Sequence, residues 1–144
     1  MKRTETLLGA VLAAAVAIGT FGIPESRADE KKEYMPKAQS TKLLQAPLAG
    51  TPGKEVHIVH VAAPPGYVGG RHVHTGPVFV YILEGQLTIQ MEGEAPVVLG
   101  PGDVFQEPPD SKPMQAINKS ATHGVKLVAF QVGDEGVPMM VKAE

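Results

Sequence analysis

After residue 54 the chain alternates between apolar and polar positions with a period of two, in short runs separated by turn residues. Residues 55–63 (EVHIVHVAA) are rich in β-branched side chains and predict a strand with Val56, Ile58 and His60 on one face and His57 and Val59 on the other. His57 and His60 therefore do not line one site together unless the strand is bulged, and one or both read as strand-packing or surface residues. Residues 78–83 (VFVYIL) are apolar on both faces, with Val78, Val80 and Ile82 in one row and Phe79, Tyr81 and Leu83 in the other. Such a strand has a barrel interior on one side and a cover on the other, either another sheet or a second subunit. In residues 86–91 (QLTIQM), Leu87, Ile89 and Met91 alternate with polar neighbours. Shorter strands are expected at 96–99, 104–107, 114–117, 125–132 and 137–141, with turns at Glu92-Gly93-Glu94 and Gly100-Pro101-Gly102-Asp103. Residues 41–54 are cut by Pro47, Gly50, Pro52 and Gly53, and at most one short strand is expected there. A strand and turn every 8–12 residues or so is the spacing of a sandwich or barrel. No window of helical period reaches three turns after residue 28. The expected fold is all-β.

The first residues follow a different pattern. Lys2 and Arg3 precede a nearly uncharged apolar stretch from Leu7 to Ile23, and Ser26-Arg27-Ala28 puts small residues at the positions a signal peptidase reads. The apolar stretch is close to the ~18 residues that span a bilayer, so an uncleaved anchor is the rival reading. Gly22, Pro24 and the small residues beyond them favour cleavage after Ala28. The expected organisation is a signal peptide over 1–28, a flexible charged arm over 29–40 (DEKKEYMPKAQS) and a β-barrel domain over 41–144, exported to the periplasm or beyond. The 116 residues after the cleavage point carry ten basic and thirteen acidic side chains, enough chain for a single core. They hold no basic stripe for a nucleic acid and no second apolar span, so neither nucleic acid nor membrane is expected as a partner after cleavage. The chain has no cysteine, which excludes disulfides, thiol nucleophiles and thiolate metal sites.

His72 and His74 flank Val73 in the only His-x-His of the sequence. On a strand both imidazoles point the same way and form half of a transition-metal site; the plain alternative is a pair of polar strand residues. Other chemistries lack their residues. There is no glycine-rich phosphate loop opening a helix and no Gly-x-Ser-x-Gly elbow, and Ser111 and Ser120 lie in turn-like stretches.

The stretch Gly66-YVGGR-His72-Val73-His74 closed by Gly85, followed by Gly102-DVFQE-Pro108 and Asn118, resembles the two motifs of the cupin superfamily. The segment GEAPVVLGPGDVF between them resembles that family's inter-motif hairpin. The resemblance implies a double-stranded β-helix, or jelly-roll barrel, over nearly all of the chain after the signal. It also implies a metal held by two histidines and a glutamate from the first motif and a histidine from the second. His72 and His74 match the first two places. Val78 stands where the glutamate belongs, Pro113 or Met114 where the last histidine belongs, and Asp110 where the second motif has a glycine. Two imidazoles alone make a weak site for iron, manganese, copper, nickel or zinc, since a closed or catalytic site wants at least three protein ligands. Either Met114 or Gln115 faces the barrel, the thioether suiting copper better than zinc or iron. Gln106 and Glu107 form a second either-or pair, Glu107 being the better ligand or base. His123, in the turn NKSATHG, reads as exposed.

These residues predict a small-molecule pocket opened by His72 and His74 and walled by Val78, Val80, Gln106 and Gln115. Val78 in place of a carboxylate favours an apolar or aromatic ligand over a sugar phosphate. Two functions follow: an exported binding cupin, weakly metallated or metal-free, or a metal-dependent enzyme of dioxygenase or isomerase type using His72 and His74. Metal-free acid–base catalysis by one of these histidines is a third. The two-faced strand at 78–83 and the resembling family together predict a homodimer.

Overall fold

The computed structural model describes residues 37–107 and 112–143, so the expected signal segment and residues 29–36 of the expected arm lie outside the described residues. Among the described residues ten strands follow one another: β1 (Gln39–Pro47), β2 (Lys54–Ala63), β3 (His72–His74), β4 (Val78–Glu84), β5 (Leu87–Met91), β6 (Val97–Leu99), β7 (Val104–Glu107), β8 (Met114–Ile117), β9 (Val125–Asp134) and β10 (Met140–Lys142). They form two five-stranded sheets, β1-β2-β9-β4-β7 and β10-β3-β8-β5-β6. Every ladder in both sheets is antiparallel.

β1 departs from the sequence expectation. It is nine residues long and begins at Gln39, inside the stretch read as an arm. Pro47 ends it rather than breaking it, because an edge strand tolerates a residue without an N–H. The turn residues beyond Pro47 serve the reversal into β2, where the Leu48 amide donates to the Lys54 carbonyl at 2.8 Å.

Between the sheets, Val78, Ile82, Leu87, Ile89 and Val125 are buried almost completely and anchor the core. Phe79, Tyr81 and Leu83 project to the outer face of the first sheet and stay substantially exposed. Cross-strand partners share a face, and one inward row runs through the whole first sheet: Gln45, His57, Gln131, Val78 and Glu107. The inner face of this sheet is thus apolar for most of its length and polar at one end. His57 belongs to that polar end, with its Nε2 2.6 Å from Glu55 Oε1, and His60 lies on the opposite face of β2.

The segment 64–70, which delivers the chain to β3, is stitched to the end of β8. The Gly69 amide donates to the Ala116 carbonyl and the Asn118 amide to the Tyr67 carbonyl, both at 2.8 Å. Gly85, in the turn after β4, has a φ of +76°, and a Cβ there would come within 2.2 Å of the Gly124 carbonyl oxygen. Only glycine meets both conditions.

Candidate ligand and metal site

A cavity of about 370 Å³ opens between the sheets. Val61, Val78, Val80, Leu127, Leu87 and Ile89 make most of its wall, and the polar side chains of His72, His74 and Glu107 gather at one end. Tyr67, Arg71 and Lys142 also line it, as does Ser40 at the start of β1.

The two imidazoles are set by the period of β3, which puts both on one face, and by the carbonyls behind them. His72 Nδ1 lies 2.8 Å from the Gly70 carbonyl oxygen, and His74 Nδ1 lies 3.3 Å from that of Met139. A carbonyl only accepts, so each Nδ1 donates there, and in a neutral ring this leaves Nε2 as a bare acceptor. The two Nε2 atoms stand 3.2 Å apart, with the rings nearly perpendicular at 81°. Two lone pairs meeting at that distance repel unless a proton or a cation lies between them. Burial, and then the neighbouring His72, push the pKa of His74 down to about 4, so its ring is neutral at ordinary pH.

Glu107 completes the polar end. It is only 1% exposed, and its Oε2 lies 3.3 Å from His74 Nε2 without hydrogen-bond geometry. Burial raises its pKa to about 7. Gln131 lies in the same inward row two strands away, with Val78 between them. Its Nε2 donates to Thr75 Oγ1 at 3.2 Å, and its buried Oε1 has no hydrogen-bond partner among the described residues. The polar end therefore presents bare acceptors and a carboxyl that changes charge close to neutrality.

Of the residues expected to wall the pocket, Val78 and Val80 line the cavity. Gln106 and Gln115 do not. Gln106 is exposed on the outer face of β7, and Gln115 donates to the Gly69 carbonyl at 2.6 Å. Their neighbours Glu107 and Met114 take the inward places instead. Gln131 carries no sequence signal that separates it from any other polar residue of a strand. His123 is exposed, as its turn predicts, and its Nδ1 lies 2.8 Å from Thr122 Oγ1.

A cupin domain model matches residues 59–130, half of the chain, spanning both motif frames and the strands that carry His72, His74 and Glu107. The chain belongs to the cupin superfamily. Among solved structures, this cupin is similar to DMSP lyase DddQ from Ruegeria pomeroyi, with 25% identity and a TM-score of 0.53 over 61% of the chain. It spans 43% of that lyase, less than half its length. A cupin-like protein from Thermotoga maritima matches at 16% identity and a TM-score of 0.59, over 74% of this chain and 75% of that one. A cupin superfamily protein from Desulfitobacterium hafniense matches at 20% and 0.53, over 70% and 82%. These last two likenesses concern the fold alone. The search of curated proteins finds no match.

The residues of this cupin do not fit the four-ligand divalent site that its superfamily implies. The glutamate place holds Val78, which is fully buried, and Met114 faces the cavity where the second histidine belongs. Among the described residues, no group of three or more His, Cys, Asp or Glu side chains could hold a metal ion.

Proposed function

We propose that this cupin binds one small, largely apolar organic molecule in its barrel, with a single polar group of the ligand placed between His74 and Glu107. The observation that carries this reading is the wall itself: aliphatic side chains with a few convergent polar groups at one end, in a volume at the lower end of the ~300–1,000 Å³ range of ligand pockets. Small barrels of this kind either fill with side chains or enclose one ligand, and this one has room left. The bare acceptors at the polar end favour a hydroxyl or amine that donates, and Glu107 supports either a donor or an acceptor on the ligand. A sugar phosphate is a poor match, because Arg71 is already paired with Glu92 at 3.0 Å and no other basic side chain except Lys142 lines the cavity.

The test is a ligand screen by calorimetry, using aliphatic and aromatic compounds that carry one hydroxyl, amine or carbonyl. Val80→Phe fills the wall without touching the polar end. Compounds that bind the native protein are expected to lose at least about tenfold in affinity to that variant, a penalty of ~1.4 kcal/mol or more. Equal binding to both proteins would remove the barrel as the binding place.

Two further elements belong to this reading. The order of basic, apolar and small residues over 1–28 supports export, and the matching result is a mature chain whose first residue is Asp29. The outer face of the first sheet supports a dimer. Phe79 and Phe130 pack there with ring centroids 6.3 Å apart, next to the exposed Tyr81, Leu83 and Val104. Strands of nine, ten, ten, seven and four residues, at ~3.3 Å per residue and ~4.8 Å spacing, offer roughly 630 Å² on one face, at the lower end of the ~600–1,000 Å² each partner gives to an interface of standard size.

A further inference from the structure

The register of the second sheet places a methionine across from each histidine of the site. β3 lies between β8 and β10, and His72 is the cross-strand partner of Met114 while His74 is the partner of Met140. Cross-strand partners project to the same face with Cβ atoms about 4.5–5.5 Å apart. All four side chains line the same cavity. We propose that His72, His74, Met114 and Met140 form a site for monovalent copper.

The donor chemistry selects the ion. Both imidazoles are held with Nδ1 against a carbonyl and Nε2 bare, and the Nε2 atoms stand 3.2 Å apart. Two nitrogens bound to one ion at ~2.05 Å with a tetrahedral angle lie about 3.3 Å apart, so the pair is already spaced as ligands. Thioethers are soft, uncharged donors that favour Cu(I), whereas zinc and iron prefer anionic or additional nitrogen and oxygen ligands. Among the described residues, no three His, Asp or Glu side chains are placed to hold them. Four neutral donors also suit a single positive charge. A second charge would face Arg71 and Lys142, which line the same cavity, with Glu107 as the one buried carboxyl nearby. In a chain without cysteine, methionine is the only soft ligand available, and Met114 occupies the place where the superfamily's motif has its last histidine.

This inference shares His74 with the organic-ligand reading: with copper on its Nε2, the ligand occupies the aliphatic part of the cavity and its polar group meets Glu107 alone. The experiment loads the purified full-length protein with Cu(I) under anaerobic conditions, in competition with a chromophoric Cu(I) chelator, and records X-ray absorption at the copper edge. Expected are one equivalent of bound copper and sulfur among its nearest neighbours. Met114→Leu/Met140→Leu, which conserves volume, is expected to lose sulfur scattering and weaken Cu(I) binding by about 100-fold, while Zn(II) affinity changes less than about threefold. Absence of stoichiometric copper, a copper shell of nitrogen and oxygen only, or undiminished Cu(I) binding in the double variant would each overturn the assignment. Met140 is half exposed, so Met140→Leu alone keeps the fold if the double variant does not, and the same loss of one sulfur neighbour is then required. Val80→Phe, which tests the organic ligand, leaves these four donors in place, so the two readings fail separately.

Discussion

Val78 and Glu107 are direct cross-strand partners on β4 and β7, and together they account for the unusual polarity of the site. The carboxyl missing from the motif position is present one strand away, facing the same cavity. The sequence pointed the wrong way here for a physical reason. Alternation divides a four-residue strand into two faces but does not say which face is inside. In β7 the apolar Val104 is 64% exposed while Glu107 is buried, the reverse of the usual partition. A second carboxylate is held differently. Glu55 accepts hydrogen bonds from Gln45 and the Gly136 amide and lies 2.6 Å from His57 Nε2. The side-chain hydrogen bonds from Gln45 and His57 set its pKa below the ordinary value of 4.5. The folded state therefore binds this proton less readily than the unfolded chain does, and the stability it contributes is complete above the ordinary carboxylate range and lost as pH falls through the depressed value. Urea unfolding at a series of acidic pH values is expected to show this decline, and Glu55→Gln is expected to flatten it. An unchanged acid limb in the variant would place the decline on other carboxylates.

At the scale of elements, the short strand β3 is positioned by what precedes it more than by its own pairing. Asn118 is the centre of that arrangement. It is 1% exposed, its Nδ2 donates to the carbonyls of Pro64 and His123, and its Oδ1 accepts from the Ser120 amide. The segment held this way ends at Gly70, whose carbonyl orients His72. Asn118→Ala removes three hydrogen bonds and leaves buried backbone groups unpaired, so a loss of about 2–3 kcal/mol is expected in urea unfolding. A loss within about 0.5 kcal/mol, the range of an ordinary surface substitution, would show that water replaces the amide. The strands themselves were largely legible, because β2, β4, β5 and β9 are continuous apolar or alternating runs bounded by turn residues. β1 was not, because its breakers mark where it ends and look the same in sequence as residues that prevent a strand. The inward turn of Met114 was not legible either. The flanking residues allow both phases, and the choice is made by the pairing of β8 with β3 and β5.

For the whole molecule, the first sheet has one face in the core and the other carrying aromatic rings to the surface. Tyr81 lies across from Val104 on one side and Val128 on the other, at the middle of that outer face. Light scattering at micromolar concentration is expected to give twice the chain mass. Tyr81→Glu, which places a charge in the centre of both halves of a two-fold interface, is expected to give the monomer with an unchanged far-ultraviolet spectrum. A native protein of single mass would leave the face uncovered and end the dimer reading.

The pairing of β2 with β9 has a consequence in time. The closest partners in that ladder, Ala63 and Val125, are 62 positions apart, and the farthest, Lys54 and Asp134, are 80 apart. Contacts between such distant positions form late, because loop closure must precede any gain from pairing. β2 also supplies Val61 and Ala63 to the cavity wall, and β10, the last strand, supplies Met140. The cavity wall is therefore complete only once residues on both sides of that long separation have been made, and until then β2 waits with its inward face unpaired.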